Sequence, residues 1–207
     1  MFSLPAAERR RLNPLSTFAL AACDTLARTR SAEEIRTVPL VYASPNGDGA
    51  LLLRLLTSIG EHQPFSPTQF HNSVHNAPAG YWSIGINSRA ATTALAAGDE
   101  TLEVALAEAG LQVVSRDCPV MLIVAQQAYP QELRTAQPAA EDFVLAAWCI
   151  PVNERAAWRC SLLRDSGGVR SASSLAAEIA VRGEHGFAGR RFVDRLACTL
   201  DIRRISE

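Results

Sequence analysis

The chain has 207 residues, of which 48% are hydrophobic and 20% charged, and its formal net charge is −1. These proportions are typical of a globular protein with a packed core, and they exclude a disordered or fibrous chain. The near-neutral charge gives no overall attraction to nucleic acid or anionic lipid, so we expect no nucleic-acid partner. The sequence contains no lysine, which excludes Schiff-base and P-loop chemistry that depends on a lysine amine.

The cysteines are odd in number, widely spread and without Cys-x-x-Cys spacing: Cys23, Cys118, Cys149, Cys160 and Cys198. This pattern predicts neither a zinc site nor a disulfide framework, so we expect reduced thiols, no metal and no cofactor. The first residues reach three consecutive arginines without the apolar core of a signal peptide. No apolar stretch approaches the roughly 18 to 20 residues that cross a bilayer, which predicts a cytoplasmic protein without membrane insertion.

The first elements are a helix and a strand. Apolar spacing predicts an amphipathic helix over residues 14–28, with Ser16 as its N-cap. A short apolar run at 38–42 predicts a strand, which a dense cluster of turn residues at 44–49 brings to an end. The order so far is helix, strand, loop.

The next segment contains the most unusual composition of the chain. A second helix is predicted over residues 50–59, with Gly60 ending it. Residues 64–80 are rich in Ser, Asn, His and Pro, and they are predicted to be irregular. Residues 81–86 then predict a short strand.

Helices and strands continue to alternate in the middle of the chain. Residues 92–96 are ambiguous, because their alanines favour a helix and their threonines a strand. A helix is predicted over 101–109, and the continuous apolar runs at 120–125 and 143–150 are typical of strands buried on both faces. This alternation predicts a layered α/β architecture with a sheet between helices.

The tail differs in composition, with paired glycines, serines and several arginines. One more helix is predicted at about 174–181 and a last short element at 191–196. Since no repeat or long low-complexity tract divides the chain, we expect a single domain over 1–207, with 151–207 as a C-terminal extension.

Two histidines stand out between residues 66 and 97. His71 and His75 have helical spacing, which fits a metal site or an acid–base pair, but no carboxylate or cysteine lies in this segment to complete a metal shell. The alternative is that these histidines bond the backbone of a fixed loop.

The run SPTQFHNSVHNAPAGYWSI at 66–84 resembles the signature of the short ketosynthase-like proteins called beta-ketoacyl synthase N-terminal-like, or chain-length factors. Supporting matches lie at 9–16, at 41–47 and in the apolar run 120–124, so that the resemblance covers roughly residues 4–150. It implies a truncated thiolase-like α/β fold, equivalent to the N-terminal half of a ketosynthase.

The resemblance also implies a function. Proteins of this type resemble companions of a full-length ketosynthase in aryl polyene (xanthomonadin-type) pathways, with which they form a heterodimer. Such a subunit shapes the acyl pocket of its partner while a polyene or fatty-acid-like chain grows on acyl carrier protein, with which it interacts only indirectly.

A working ketosynthase carries its nucleophilic cysteine at a strand-to-helix turn, where the helix N-terminus favours the thiolate. In this sequence the equivalent turn contains Ala97 and Gly98, or, in a second register, Ser88, and none of these is a cysteine. The catalytic histidine pair of the family is also missing, since His185 matches its motif only faintly. We therefore expect no catalysis by the chain on its own. A stand-alone serine acyltransferase or hydrolase and a non-functional structural homodimer are the alternatives.

The same resemblance implies that elements near this turn form the partner interface or line the pocket. The residues predicted there are Phe70, His71, His75, Asn76, Tyr81 and Trp82. Phe70, Tyr81 and Trp82 are the predicted anchors, because interfaces favour buried aromatic side chains. The alternative is that Tyr81 and Trp82 pack in the core of the domain.

The arginine pairs at 190–191 and 203–204 are candidates for contacts with an acidic carrier protein. An incomplete thiolase half exposes apolar surface, which predicts poor solubility of the chain alone.

Overall fold

A computed structural model gives the structure of the chain over residues 4–64, 66–134 and 142–151, and the backbone of strands at 158–164, 188–193 and 198–204. The helices are α1 (Ala6–Arg9), α2 (Pro14–Ala27), α3 (Ala32–Thr37), α4 (Gly49–Gly60), α5 (Pro67–Ser73), α6 (Ala77–Ile86) and α7 (Thr101–Arg116). The strands are β1 (Leu40–Ala43), β2 (Thr92–Leu95), β3 (Val120–Gln126), β4 (Phe143–Cys149), β5 (Trp158–Arg164), β6 (Ala188–Val193) and β7 (Cys198–Arg204).

Four strands form the main sheet in the order β2-β1-β3-β4. The central strand β1 pairs in parallel with both β2 and β3, whereas β4 runs antiparallel to β3, with Cys149 opposite Val120. The other three strands form a separate antiparallel sheet in the order β5-β7-β6. The crossover connections of the main sheet are helical, as parallel pairing requires.

Helices cover both faces of the main sheet. Leu40 and Tyr42 of β1 pack in a core with α2 and α6, whereas Val41 and Ala43 pack with α7 on the other face. Because a strand between two helical layers has no solvent face, its residues are continuously apolar. The predicted layered α/β architecture is confirmed, and so are strands at 120–125 and 143–150.

The N-cap of α2 is Asn13, whose side chain accepts a hydrogen bond from the backbone N–H of Ser16 at 2.7 Å. The prediction of Ser16 as the cap was therefore wrong by one turn. Pro14 lies in the first turn of α2. Backbone N–H groups there have no partner within the helix, so the N–H that proline lacks is not needed. α3 begins with a capping box in which Ser31 and Glu34 bond each other's backbone N–H groups.

The largest correction concerns residues 64–86. The segment predicted to be irregular contains α5 and the start of α6, and the run 81–86 predicted to be a strand is the end of α6. Pro67 and Pro78 lie in the first turns of these helices, where proline is well tolerated. α6 is apolar on nearly all sides, because it is enclosed by α2, α3 and the sheet. In such a helix the apolar residues do not recur every three to four positions, so periodicity does not predict it.

The ambiguous residues at 92–96 form strand β2 through Leu95. The predicted helix at 174–181 lies outside the described residues, and of the element predicted at 191–196 only residues 191–193 are described, as part of β6. Among the helices that the structure describes, none is long and apolar enough to cross a membrane.

Candidate functional site

The carboxyl ends of β1 and β2 define a topological switch point. The chain that leaves β1 returns to the sheet through α6 on one face, whereas the chain that leaves β2 returns through α7 on the opposite face. Open α/β sheets place their sites outside the carboxyl ends of their strands, and we call the space outside the ends of β1 and β2 the crevice. The turn predicted to carry the missing nucleophile follows β2 and lies at this crevice.

The turn between β2 and α7 is built around Gly98. The N–H of Ala97 donates to the Thr101 hydroxyl at 2.9 Å, and that hydroxyl donates to the carbonyl of Gly98 at 2.7 Å. Gly98 has φ +56°, and a Cβ placed there would meet no atom within 4 Å. Thr101 thus closes the turn at the start of a 16-residue helix, while position 98 faces open space.

The turn between β1 and α4 forms the other side of the crevice. The Ser44 hydroxyl accepts from the N–H of Gly47 at 3.1 Å, and Gly47 has φ +66°. Asp48 is the N-cap of α4, because its Oδ1 accepts from the N–H of Leu51 at 2.8 Å. The sequence signal for this cap was an acidic residue inside a turn cluster directly before a predicted helix.

Tyr129 closes this turn from above. Its hydroxyl donates to the carbonyl of Asn46 at 2.8 Å, and its ring packs on the backbone of Gly49. A Cβ at position 49 would lie 2.3 Å from the ring, so only glycine fits beneath it. No local pattern predicts this contact, since the two residues are 80 positions apart.

His75 connects the two sides of the crevice. Its Nε2 lies 3.0 Å from the carbonyl of Leu95, the last residue of β2, and its ring packs edge-to-face on Tyr42 with 5.8 Å between centroids. A carbonyl oxygen only accepts, so Nε2 must bear the hydrogen. Burial lowers the pKa of His75 below its usual value, which favours the neutral ring.

These contacts favour the loop-bonding interpretation of the histidines over a metal site. His71 packs edge-to-face on Tyr81 with 6.1 Å between ring centroids, away from His75's partners on the sheet. Within the part of the chain that the structure describes, no group of three His, Cys, Asp or Glu residues could hold a metal ion.

Asn72 anchors the helices that carry the remaining predicted residues. Its side-chain amide donates to the carbonyl of Arg11, and its oxygen accepts from the Tyr81 hydroxyl at 2.7 Å. Tyr81 and Trp82 are 2% and 3% exposed inside the core, which favours the core-packing alternative over a role as interface anchors. Phe70 is 58% exposed on α5, and Asn76 is exposed at the start of α6.

Ser88 is held in a structural turn. Its hydroxyl donates to the carbonyl of Arg36 at 2.7 Å and accepts from the N–H of Ala90 at 3.0 Å. The turn precedes β2, so it lies at the amino edge of the sheet, opposite the crevice. Because the Ser88 hydroxyl donates its hydrogen bond to a carbonyl, it has no base that could take its proton. This counts against Ser88 as a nucleophile.

No cysteine whose side chain the structure describes lies on the turns that follow β1 and β2. Cys23 is buried in α2, and burial raises the pKa of its thiol strongly, which disfavours the thiolate. Cys118 precedes β3, and Cys149 is opposite Val120, so both lie at the amino edge of the sheet. At about 3.3 Å a residue, that edge is roughly 13 Å from the carboxyl end of the strands.

The arrangement of a mixed sheet between helices, with a strand-to-helix turn at its switch point, is that of a thiolase-like ketosynthase N-terminal fold. The sequence matches the family model "Beta-ketoacyl synthase, N-terminal domain" over residues 1–185, and the chain belongs to this family. No curated protein matches the sequence.

The chain is also similar to solved structures. The chain is similar to a structure of a ketosynthase (ApeO) in complex with its chain length factor (ApeC) from Xenorhabdus doucetiae, with a TM-score of 0.74 and 20% identity. That match covers 97% of this chain and 82% of the other. A beta-ketoacyl-[acyl carrier protein] synthase III (FabH) from Thermus thermophilus matches with a TM-score of 0.45 and 16% identity, over 84% of this chain and 44% of the other.

Proposed function

We propose that the chain is a non-catalytic subunit of the chain-length-factor type. It pairs in the cytoplasm with a full-length ketosynthase and shapes the acyl pocket of that partner while a polyene or fatty-acid-like chain grows on acyl carrier protein. The observation that supports this proposal is Gly98 at the turn between β2 and α7, which we take as the equivalent of the nucleophile turn of a ketosynthase.

The backbone at Gly98 favours it over Ala97 as the equivalent of the missing cysteine. A nucleophile on a sharp strand-to-helix turn is commonly held in a strained backbone conformation, which enzymes maintain because the chemistry requires it. Gly98 has φ +56°, a value that glycine adopts without strain. Position 98 therefore keeps the shape of such a turn but has no side chain to react.

The surroundings of the turn supply no substitute for the cysteine in the described residues. His75, the histidine at the crevice, has its Nε2 engaged with the backbone of Leu95 rather than with a hydroxyl or thiol. The Ser88 hydroxyl lies at the opposite edge of the sheet. These two observations support a subunit without chemistry of its own.

The outer edge of β2 supports pairing with another protein. The carbonyls of Ala91 and Leu95 accept from N–H groups of β1, so the backbone groups of Thr92 and Ala94 point away from it. No strand among the described residues pairs with this outer edge. β2 contains neither a charged residue nor a proline, the usual devices that prevent edge pairing.

An apolar surface lies on α4 and α5 and supports the same conclusion. We define it by five exposed residues: Leu52, Leu56 and Ile59 of α4, and Phe70 and Val74 at α5. The α4 residues have i, i+4, i+7 spacing and form one stripe. Val74 precedes His75, whose ring bonds the end of β2, so the apolar surface approaches the open strand edge.

The known complex offers a parallel. The structure with the TM-score of 0.74 contains a ketosynthase with its chain length factor, and we propose the same kind of assembly for this chain. Phe70 then replaces Tyr81 and Trp82 as the aromatic anchor, since it is the one of the three that is exposed.

Co-expression with the neighbouring ketosynthase tests the proposal, followed by size-exclusion chromatography with mass detection and a condensation assay. We expect a one-to-one complex that stays active when this chain carries Ser88→Ala and loses activity when the partner's cysteine is replaced. A homodimer that does not bind the ketosynthase would support the alternative of a non-functional structural homodimer. Turnover of an acyl substrate by the chain alone, abolished by Ser88→Ala, would make it a serine enzyme.

A further inference from the structure

Strand β2 is supported by helices on one face only. Its side chains alternate, with Thr93 and Leu95 half-buried and Thr92 and Ala94 exposed. Leu95 packs with the core on the α7 side of the sheet. On the opposite face Leu40 is buried, but Thr92, its partner in the register, is exposed, so the layer of α2 and α6 leaves β2 uncovered. The strand that carries the open edge therefore has little packing of its own to fix its position.

Gln112 of α7 makes a direct side-chain contact with this strand. Its Nε2 donates to the Thr93 hydroxyl at 2.9 Å and to Oε1 of Glu108, one turn earlier in α7, at 2.7 Å. A carboxylate can only accept, so the nitrogen and not the oxygen of the amide must face Glu108. Glu108 thereby fixes which way the amide points, and the second N–H is directed at Thr93.

The other end of the same amide is unfavourable for stability. Gln112 is 8% exposed, and its Oε1 is buried without a hydrogen-bond partner among the described residues. An apolar side chain of similar size would avoid the cost of an unsatisfied acceptor. A residue that breaks a rule of core composition without an evident gain in stability is typical of a functional position. What the amide of Gln112 provides is its bond to β2.

Thr93 lies at the centre of the open edge. Its own backbone pairs with β1, whereas the backbone N–H and C=O groups of Thr92 and Ala94, on either side of it, point outward. A bond that holds the Thr93 side chain therefore keeps both outward residues in the extended geometry that strand pairing needs. The carbonyl of Leu95 also accepts from Nε2 of His75 at 3.0 Å, which anchors the end of the strand.

We propose that Gln112 is a positioning residue for the partner interface, and that it presents the open edge of β2 to a strand of the ketosynthase. This inference rests on the proposed function, because it takes a ketosynthase as the partner. A strand that is already held extended loses less conformational freedom when it pairs, so it binds more tightly.

Thr93→Val in the co-expressed complex tests this, because valine keeps the shape and the strand preference of threonine but not the hydroxyl. We expect the Kd of the complex, measured by sedimentation velocity over a dilution series, to rise about tenfold, the size of one lost hydrogen bond. Thr93→Ser keeps the hydroxyl and should stay within about twofold of the unmodified chain. An unchanged Kd for Thr93→Val, or an equal loss of affinity for Thr93→Ser, overturns the proposal.

Gln112→Met makes the same test from the helix and replaces Thr93→Val if that variant does not fold. Methionine is a flexible side chain of similar length without an N–H, so we expect the same rise in Kd. The double variant with Thr93→Val should bind no worse than either single one, because all three lack the same bond, and additive losses overturn the proposal. Tyr81→Phe loses a buried bond to Asn72 in the core and should leave the Kd unchanged. An equal rise there would assign the effect to stability in general and overturn the role of Gln112.

The unmodified chain separates this inference from the proposed function. If it forms no complex with the ketosynthase, the proposed function fails and the inference fails with it. If it forms the complex and all the variants bind equally well, only the role of Gln112 is overturned.

Discussion

His75 is the residue on which the two sides of the crevice depend. It holds the end of β2 through Nε2 and packs on β1 through its ring, and burial favours its neutral form by lowering its pKa. A protonated ring would carry a second N–H at a buried position and a charge in a poorly solvated place. Its titration therefore affects the stability of the fold.

The pH dependence follows from the direction of the pKa shift. Burial lowers the pKa of His75 in the folded chain, so the unfolded chain binds a proton more readily. Stability from the neutral ring is fully present above the ordinary histidine pKa of about 6.5 and is lost as the pH falls below it. We expect urea unfolding to show a lower free energy of unfolding at pH 5 than at pH 7.5.

His75→Gln should weaken this dependence, because glutamine does not titrate. The same substitution at His62, which is exposed at the end of α4, controls for the loss of a histidine as such. A pH profile that is equally steep in His75→Gln and in the unmodified chain would show that other groups are responsible.

Sequence reasoning anticipated a backbone-bonding histidine here as one alternative, but not its partner. The loop composition around His75 favoured side-chain bonds to backbone, yet Leu95 lies 20 residues further on and Tyr42 lies 33 residues back. The contact exists because β1 and β2 are neighbours in the sheet, which no local pattern reveals.

At the scale of elements, α4 begins under the ring of Tyr129, and we expect its first residue to be intolerant of change. Gly49→Ala must displace that ring, so it should lower the free energy of unfolding by about 1–3 kcal/mol, measured by denaturant titration. Gly110→Ala in α7 meets nothing within 4 Å and should stabilise by about 0.5–1 kcal/mol, since glycine is a poor helix former.

A double variant shows whether the ring is the cause. In a Tyr129→Ala background, Gly49→Ala should no longer destabilise, because the space above the helix is then empty. If the alanine costs the same in both backgrounds, the close approach of Tyr129 is not what requires glycine at position 49.

The open edge of β2 gives a prediction about assembly. Ala94→Pro removes an N–H that points away from β1, so the internal pairing of the sheet is retained while the edge loses a donor. We expect this variant to fold, as judged by circular dichroism, and to lose most of its binding to the ketosynthase in a pull-down. Ala94→Ser keeps the N–H and should bind normally. Full binding by Ala94→Pro would show that the partner uses another surface.

Elements differed in how well the sequence predicted them. β3 was recognised because a buried parallel strand is a continuous apolar run between turn residues. The same property misled the interpretation of α6, whose apolar residues face α2, α3 and the sheet in turn. α5 was missed because it spans only seven residues of mostly polar composition.

At the scale of the whole molecule, the apolar surface on α4 and α5 distinguishes the chain from an ordinary monomer. Scattered exposed apolar residues are normal, but Leu52, Leu56 and Ile59 form one stripe on α4. This helix contacts α5, which carries the exposed Phe70. We expect the chain expressed alone to be poorly soluble, and co-expression with the ketosynthase to raise its soluble yield several-fold. A monodisperse monomer at high concentration would contradict this.

Phe70 also offers a test of pocket shaping. If its side chain limits the partner's acyl pocket, Phe70→Ala should shift products towards longer chains in the reconstituted condensation assay, as read by mass spectrometry. Val114→Ala, at an 82% exposed position on α7, should leave product length unchanged. Identical product distributions for both variants would show that the Phe70 side chain does not limit the partner's acyl pocket.

The switch point itself could not have been assembled from the sequence. Tyr42 and Asp48 come from β1 and the turn after it, whereas His75 and Tyr129 come from distant segments that reach this end of the sheet through its topology. The turn at Gly98 was found because it is local, a short run between a strand and a helix. Local features such as this turn could thus be predicted from the sequence, whereas the residues that the sheet topology brings next to it could not.

The uncharged edge of β2 has a consequence for how much of the protein a cell can tolerate. An unguarded strand edge pairs with any other such edge, including that of a second copy of the same chain. If the chain pairs with a ketosynthase as proposed, its synthesis in excess of that partner would lead to aggregates or to degradation by quality-control proteases. The abundance of this subunit should follow that of its partner, so that stoichiometry is set after translation by the survival of assembled chains.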